Sequence, residues 1–428
     1  MLRRRKKPKI AVIGGGPAGL SVARFLNETR KVDVTVFEAA SQLGGKSFTF
    51  SENGVVCEMG TCYATRNDIH VRKWIRSLGI KARSLGDQLI DGGPYFDWVK
   101  EPGTMSIYQE LLIYRKASNR LKKLLVTQPD DPSVLNEAGM PILYWLRARG
   151  LAKMERLHYR ALTNMGYGRL DETSTIQALR WIDIPLLMSA RFNGLMMPTT
   201  GWTDLWERVS QNVDVRLDHR VTAVERQADG VILEAGGEEH RFDKLVCAIP
   251  VDDFSALTTP TEAELRVNES VRWNGYATTL MQVNDWFHEE QLRCWSSAIM
   301  LDSEPGQLMS ARYEVDSPDF GGRLYVLNQI SGEYNERELN ELAEGDVRRD
   351  GGTPVRAILT KRWKYFAQYK PGTVSEGLLT HLRDMQGEAN TYYTGATFSH
   401  ESVATITRFN HSLAKAIVAD RHRKAAAP

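Results

Sequence analysis

Gly14-Gly15-Gly16-Pro17-Ala18-Gly19 carries three glycines at the spacing G-x-G-x-x-G, and the chemistry of that spacing is the binding of a dinucleotide pyrophosphate. Gly14 permits a sharp turn out of a strand. Gly16 lets a phosphate approach the backbone with no Cβ in the way. Gly19 lets a helix pack closely on the strand. A helix opening at Pro17 and Ala18 offers unpaired N–H groups and the positive end of its dipole to the phosphates. Glu38, about twenty residues further on, stands where a carboxylate accepts hydrogen bonds from ribose hydroxyls. This unit serves FAD and NAD alike. The nine histidines fall in no Ser-His-Asp or metal-ligand pattern, which leaves hydrolase and metalloenzyme chemistry without support.

The elements that must position these residues are a strand at 9–13, a helix at 18–26 and a second strand at 32–38. Together they have the length of a βαβ unit. The spacing over 67–78, 105–126, 141–163 and 174–190 predicts helices with few strand signals, and a further helix is expected over 202–209. Strands return at 213–217, 219–226, 230–235 and 244–249, the last stopped by Pro250. Residues 271–330 read as more strands, and the chain closes with a helix from 402 to 421. The expected fold class is α/β. A discontinuous, Rossmann-like nucleotide domain takes residues 1–65, 200–255 and 385–428. A substrate domain is built from a helical insertion, 66–199, and a mixed sheet, 256–384.

The chain has 428 residues, 42% of them hydrophobic and 25% charged, with a formal net charge of +2. A charge so near zero argues against a broad electrostatic grip on nucleic acid. The basic run of Arg3, Arg4, Arg5, Lys6, Lys7 and Lys9 reads as a solvated tail. It lacks the apolar stretch and cleavage site of a signal peptide. No window reaches the length of a transmembrane helix, so no stable membrane insertion is expected. The cysteines, Cys57, Cys62, Cys247 and Cys294, form no CxxC pair. A reducing, cytoplasmic setting is therefore expected.

Beyond Glu38 the chain resembles the flavin amine oxidase superfamily in several segments. Leu43-Gly44-Gly45-Lys46 is similar to its Gly-Gly-Arg/Lys segment, and Glu58-Met59-Gly60 to its Glu-x-Gly segment. His219–Glu225, with Gly230–Leu233 and Asp243–Pro250, is similar to its middle block, where the residue matching Val221 lays its backbone against adenine. Thr391-Tyr392-Tyr393-Thr394-Gly395-Ala396 is similar to its second pyrophosphate segment. Many relatives carry an acid after that glycine; Ala396 stands there instead and leaves one ribityl or phosphate-side contact open. The resemblance implies FAD, held through Gly14, Gly16, Pro17, Ala18, Gly19, Glu38, Gly44, Gly45, Gly60, Val221, Gly395 and Ala396. Lys46 offers charge to the phosphates or the flavin edge, or is simply solvated. The last cysteine, Cys294, precedes the C-terminal flavin segment, so attachment to a cysteine there is impossible and non-covalent FAD is expected.

In this family substrate lies over the flavin face between aromatic side chains, and flavin N5 accepts or returns a hydride. The resemblance places Tyr365 first and Trp363 next as the aromatics of that site; the other reading of 363–369 is a strand with core aromatics. Many amine oxidases carry a lysine on the strand matching Trp273–Val283, and this chain has none there. Within the superfamily the chain most resembles the bacterial polyenoic fatty acid isomerases. It shares Gly-Gly-Lys, Asn164-Met165-Gly166-Tyr167-Gly168 and Met385–Tyr393. Those enzymes take a hydride from one carbon and return it at another, with no net redox change. Their carboxylate-binding arginine has only Arg83 as a loose counterpart. Gly166–Gly168 shapes a substrate cavity or is a loop between helices. The Met-rich stretch 184–197 reads as packed core or as an adaptable lipid pocket.

The expectation is a hydride-transferring FAD enzyme, isomerase or desaturase, acting on a small, apolar, unsaturated molecule. The alternatives are an amine or amino-acid oxidase using O2 and a non-catalytic lipid-binding protein on the same fold.

Overall fold

The structure is a computed structural model that describes residues 7–85, 87–192, 194–288 and 291–420. Arg3, Arg4, Arg5 and Lys6 of the basic run lie outside the described residues.

The strand Lys9–Ile13 is apolar on both faces because it is the centre of a five-stranded sheet. Its neighbours are Asp33–Phe37 and Lys244–Cys247, flanked by Asp214–Arg216 and Thr391–Tyr393, every pair parallel. Side chains alternate across the sheet. Ile10 and Val12 pack with Leu20, Val22 and Leu413 on one side, while Ala11 and Ile13 pack with Leu233 and Phe242 on the other. The first side is covered by the helices Pro17–Glu28 and Val403–Ala419. They are tied together by Asn410, whose Nδ2 donates to the Ala18 carbonyl and to Ser21 Oγ, each at 2.7 Å. The second side is covered by an antiparallel sheet of Val221–Gln227, Gly230–Ala235 and Glu238–Phe242. Glu238–Phe242 escapes the sequence reading because four of its five residues are polar, as suits an exposed edge.

A seven-stranded mixed sheet runs in the order Thr353–Trp363, Tyr276–Asn284, Gly322–Gln329, Ser310–Ser317, Gln291–Cys294, Asp87–Ile90, Gly93–Pro94. Its last two strands come from the stretch predicted to be helical. That stretch also contributes Ala82–Ser84 and Met196–Pro198, which pair with each other. Strands of two to four residues are too short to show a period of two. Of the predicted helices, 67–78 and 105–126 are single helices, 141–163 divides into Ile142–Arg147, Ala152–His158 and the π-helical turn Tyr159–Thr163, 174–190 divides into Thr175–Trp181 and Ile184–Arg191, and Pro132–Gly139 was not predicted. The longest, Ile107–Thr127, starts at a capping box in which Ser106 and Gln109 satisfy each other's backbone N–H groups.

Residues 363–369 form no single strand. Trp363 ends one strand, Ala367–Tyr369 pairs with Val271–Trp273, and Lys364–Phe366 bridges between the two sheets. That break brings Tyr365 to the cavity described next.

Candidate active site

Four parallel strands end on one cavity. Gly14 follows Lys9–Ile13, Glu38 follows Asp33–Phe37, Ala248–Pro250 follow Lys244–Cys247, and Thr394–Ala396 follow Thr391–Tyr393. Open parallel sheets bind ligands at this carboxyl edge. The cavity encloses about 1520 Å³ of atom-free space, counting the solvent at its mouth.

Its nucleotide-sized half is a backbone cradle. Gly16 caps the helix Pro17–Glu28 with no side-chain cap. A Cβ on Gly16 would sit 3.7 Å from Gly45 Cα, and one on Gly45 3.1 Å from Gly16 Cα, so the two glycines let these backbone turns lie side by side on the cavity wall. Among the described residues, no protein acceptor meets the N–H groups of Gly16, Gly45 or Ala396. Glu38 stiffens the turn: Oε2 accepts from the Gly15 N–H at 2.6 Å and Oε1 from the Ala40 N–H at 2.8 Å. Each oxygen keeps lone pairs for a hydroxyl. Unpaired donors at a helix N-terminus, beside a carboxylate, are the groups a dinucleotide needs, so the residues present fit FAD.

Of the residues expected to bind cofactor, Gly14, Gly16, Pro17, Ala18, Glu38, Gly45, Lys46, Gly60, Gly395 and Ala396 line this cavity, as do Tyr365 and Trp363. Gly19, Gly44 and Val221 do not. Gly19 lies in the helix–strand contact, where a Cβ would meet the Gly14 carbonyl at 1.8 Å. Gly44 backs the turn, donating to the Gly15 carbonyl at 3.0 Å. Val221 is buried at the start of its strand, paired with Ala235. Lys46 is partly exposed and ion-paired: its Nζ lies 2.7 Å from Glu401 Oε1 and 5.2 Å from the ring centres of both Trp273 and Tyr365.

The other half of the cavity is aromatic. Tyr365 stacks on Tyr167, with Tyr276 tilted against it at 5.5 Å. Trp363 Nε1 donates to Thr278 Oγ1 at 3.0 Å, and Thr278 donates on to the Met59 carbonyl at 2.6 Å. Gly166 is required here: it has φ +75°, and a Cβ would overlap the Tyr276 ring. Trp181, Tyr63, Met165 and Phe398 complete the walls. Burial pushes the phenols of Tyr365, Tyr167 and Tyr276 well above their usual range, so they stay neutral. Burial also raises Glu58 to about 8, against the opposing pull of the Trp202 N–H, Arg312 and Thr49. It raises Asp68, on the cavity wall, to about 6.

Several lining residues were missed from the sequence. Thr61, Cys62 and Tyr63 directly follow Glu58-Met59-Gly60, a signal that could have found them. Tyr276 and Thr278 sit on the strand without a lysine, and Glu401 follows the C-terminal segment. Arg83 is not on the cavity; it lies 3.6 Å from the buried Glu314. In the Met-rich stretch, Leu186, Leu187, Leu195 and Met197 pack in the core and none lines the cavity. Cys294 is buried in its strand away from the cavity.

Three comparisons bear on this site. A family model for flavin-containing amine oxidoreductases matches residues 17–406. Among curated proteins, a probable polyamine oxidase 4 of Arabidopsis thaliana is 26% identical over 60% of this chain; the chain spans only 54% of that relative's length. A polyenoic fatty acid isomerase of Ptilota filicina is 22% identical over 93% of this chain and 92% of its own. Among solved structures, a CLA-producing fatty acid isomerase from P. acnes superimposes with TM-score 0.82 at 19% identity, covering 96% of this chain and 99% of its own. A putrescine oxidase variant gives TM-score 0.70 at 15% identity, covering 96% and 99%.

Proposed function

This chain belongs to the flavin-containing amine oxidoreductase family and is an FAD-dependent enzyme; from that premise, we propose that it moves hydride on an apolar, unsaturated, fatty-acid-like substrate and releases it as an isomer. The observation that carries the reading is the make-up of the cavity wall. Tyr63, Tyr167, Trp181, Tyr276, Trp363 and Tyr365 surround the space beside the cradle. The strand Tyr276–Asn284 presents Thr278 to it and holds no lysine.

The backbone N–H groups of Gly16, Gly45 and Ala396 would hold the pyrophosphate side of FAD, and Glu38 would take its ribose hydroxyls. Bound FAD supplies an N5 position that accepts and returns a hydride. The protein's part is orientation and exclusion of water. Tyr365, held by Tyr167 and Tyr276, presses a flat, unsaturated chain into register. Trp363, fixed by Thr278, bounds the same space from the side. Neutral phenols neither add charge nor take protons, which suits a step in which no proton is exchanged. The match to isomerases over nearly the full chain supports the same reading.

A second reading, amine oxidation, is favoured by one observation. The Glu401 side chain is 8% exposed and lines the cavity, and its Oε2 has no hydrogen-bond partner among the described residues. A carboxylate so placed suits an ammonium group. One assay separates the two. The holoenzyme is mixed with polyunsaturated fatty acids and, separately, with amines, while diene absorbance, oxygen and peroxide are followed. Conjugated diene without oxygen uptake is expected; amine-dependent peroxide would replace this reading with the second.

A further inference from the structure

The helix Ile107–Thr127 presents two faces of different chemistry. Glu110, Tyr114, Ser118 and Leu121 are buried at helical spacing and set its inner face. The opposite face carries Tyr108, Leu112, Arg115, Lys116, Lys123 and Val126, all exposed. Tyr108, Leu112 and Val126 keep 77%, 67% and 81% of their surface in solvent. Single exposed apolar residues are ordinary on a protein surface. Three on one helical stripe, with cations between them, have the make-up of a helix that lies at a lipid–water interface.

The exposed charges of this helix have one sign. It holds five cations, Arg115, Lys116, Arg120, Lys122 and Lys123, and a single acid, Glu110, which is buried; the whole chain has a net charge of only +2. Glu137 answers Arg120 at 3.0 Å. Arg115, Lys116 and Lys123 have no ion-pair partner among the described residues. Lys116 and Arg120 stand four apart and Arg120 and Lys123 three apart, spacings at which like charges weaken a helix. The last turn, where the helix dipole favours cations, has none. The pattern costs the isolated helix stability, and an anionic surface supplies the missing counter-charge. The apolar side chains separate this face from a nucleic-acid site, which is met by cations and polar groups.

The helix lies one layer outside the cavity. Tyr114 Oη donates to the Ile182 carbonyl at 2.6 Å, and the preceding residue, Trp181, lines the cavity. The helix is not apolar enough to cross a membrane.

We propose that the outer face of Ile107–Thr127 docks on an anionic membrane surface. Tyr108, Leu112 and Val126 enter the headgroup layer, and Arg115, Lys116 and Lys123 meet lipid phosphates. Docked in this way, the protein holds its aromatic cavity close to the layer in which long-chain apolar molecules dissolve.

The test is co-sedimentation of the holoenzyme with vesicles of phosphatidylcholine alone, or of phosphatidylcholine mixed with an equal part of phosphatidylglycerol. Flavin content and Tm of each variant are checked first; the substituted side chains are exposed, so the fold is kept. Wild type is expected to bind the mixed vesicles, not those of phosphatidylcholine alone, and to release them as salt is raised. Arg115→Ser, Lys116→Ser and Lys123→Ser combined should weaken binding about 100-fold, about fivefold per cation. Leu112→Ser, with every cation kept, should weaken it about tenfold. Binding that survives the triple substitution overturns the assignment and moves it to the basic N-terminal run. Wild type that binds neither vesicle, or both alike, overturns it as well. Tight binding to heparin, with no effect of Leu112→Ser on vesicles, replaces the membrane with a general polyanion. The assay involves no turnover, so its outcome is independent of the isomerase reading.

Discussion

Tyr365 and Tyr167 stack with ring centres 5.6 Å apart and planes 24° from parallel, although one lies between two sheets and the other in a loop between helices. The loop after the turn Tyr159–Thr163 and the bridge Lys364–Phe366 meet at this contact, which forms part of the wall beside the nucleotide cradle.

Removing the Tyr365 ring should therefore misplace substrate. Tyr365→Ala is expected to lower kcat/KM about 100-fold, the scale of a displacement of about 1 Å, with flavin content unchanged. Tyr365→Phe keeps the ring, and its phenol is neutral in the folded protein. It should stay within about tenfold of wild type, the loss of one hydrogen bond. Steady-state kinetics on both variants checks this.

The glycines of the first turn separate into two roles. Gly16 has φ −82°, and a Cβ there would make only an ordinary contact, 3.7 Å from Gly45 Cα. Gly16→Val should fold and lose FAD, because its side chain occupies the space of a phosphate. Gly19→Val should fail to fold, since its Cβ would overlap the Gly14 carbonyl. Absorbance of bound flavin and thermal melts distinguish the two; a Gly16→Val protein with full flavin content would refute the cradle.

Glu58 should give stability a pH signature. Burial raises its pKa from 4.5 to about 8 in the folded chain. Between those values the folded state holds a proton that the unfolded state has lost. Its contribution is thus fully present below about 4.5 and is lost as pH rises through 8. Glu58→Gln keeps an oxygen for the Trp202 N–H, which Glu58 Oε1 now accepts at 3.0 Å, and has no proton to lose. The Tm of wild type should fall relative to that of Glu58→Gln between pH 5 and 8, as scanning calorimetry would read; parallel curves would contradict the shift.

Glu401→Gln separates the two functional readings. In the isomerase reading Glu401 only balances Lys46, so wild-type enzyme should show no amine-dependent oxygen uptake for the substitution to abolish. An oxygen electrode with a panel of amines measures this. Uptake in wild type that disappears in Glu401→Gln would assign the carboxylate to an ammonium group.

How much was legible follows from chain distance. Gly14 to Glu38 is one local unit whose residues share strand, turn and helix, so its spacing survives in the sequence. Lys9–Ile13 and Lys244–Cys247 were legible as apolar runs that lead to Gly14 and Pro250. Lys46 and Glu401 are 355 positions apart, and no pattern predicts that they pair. Tyr167 was visible in Gly166-Tyr167-Gly168, yet its contact with Tyr365 depends on how two segments far apart in the chain pack. The strand Asp87–Ile90 was hidden by its length.

The most direct test of hydride moving out and back follows the hydrogen itself. A polyunsaturated acid carrying deuterium on the methylene between two double bonds is turned over by the holoenzyme, and the product is read by mass spectrometry and NMR while oxygen is recorded. The account predicts a conjugated product that keeps the deuterium on a different carbon, with no oxygen consumed. Product formed in step with oxygen uptake and peroxide, or a conjugated product without deuterium, would contradict it.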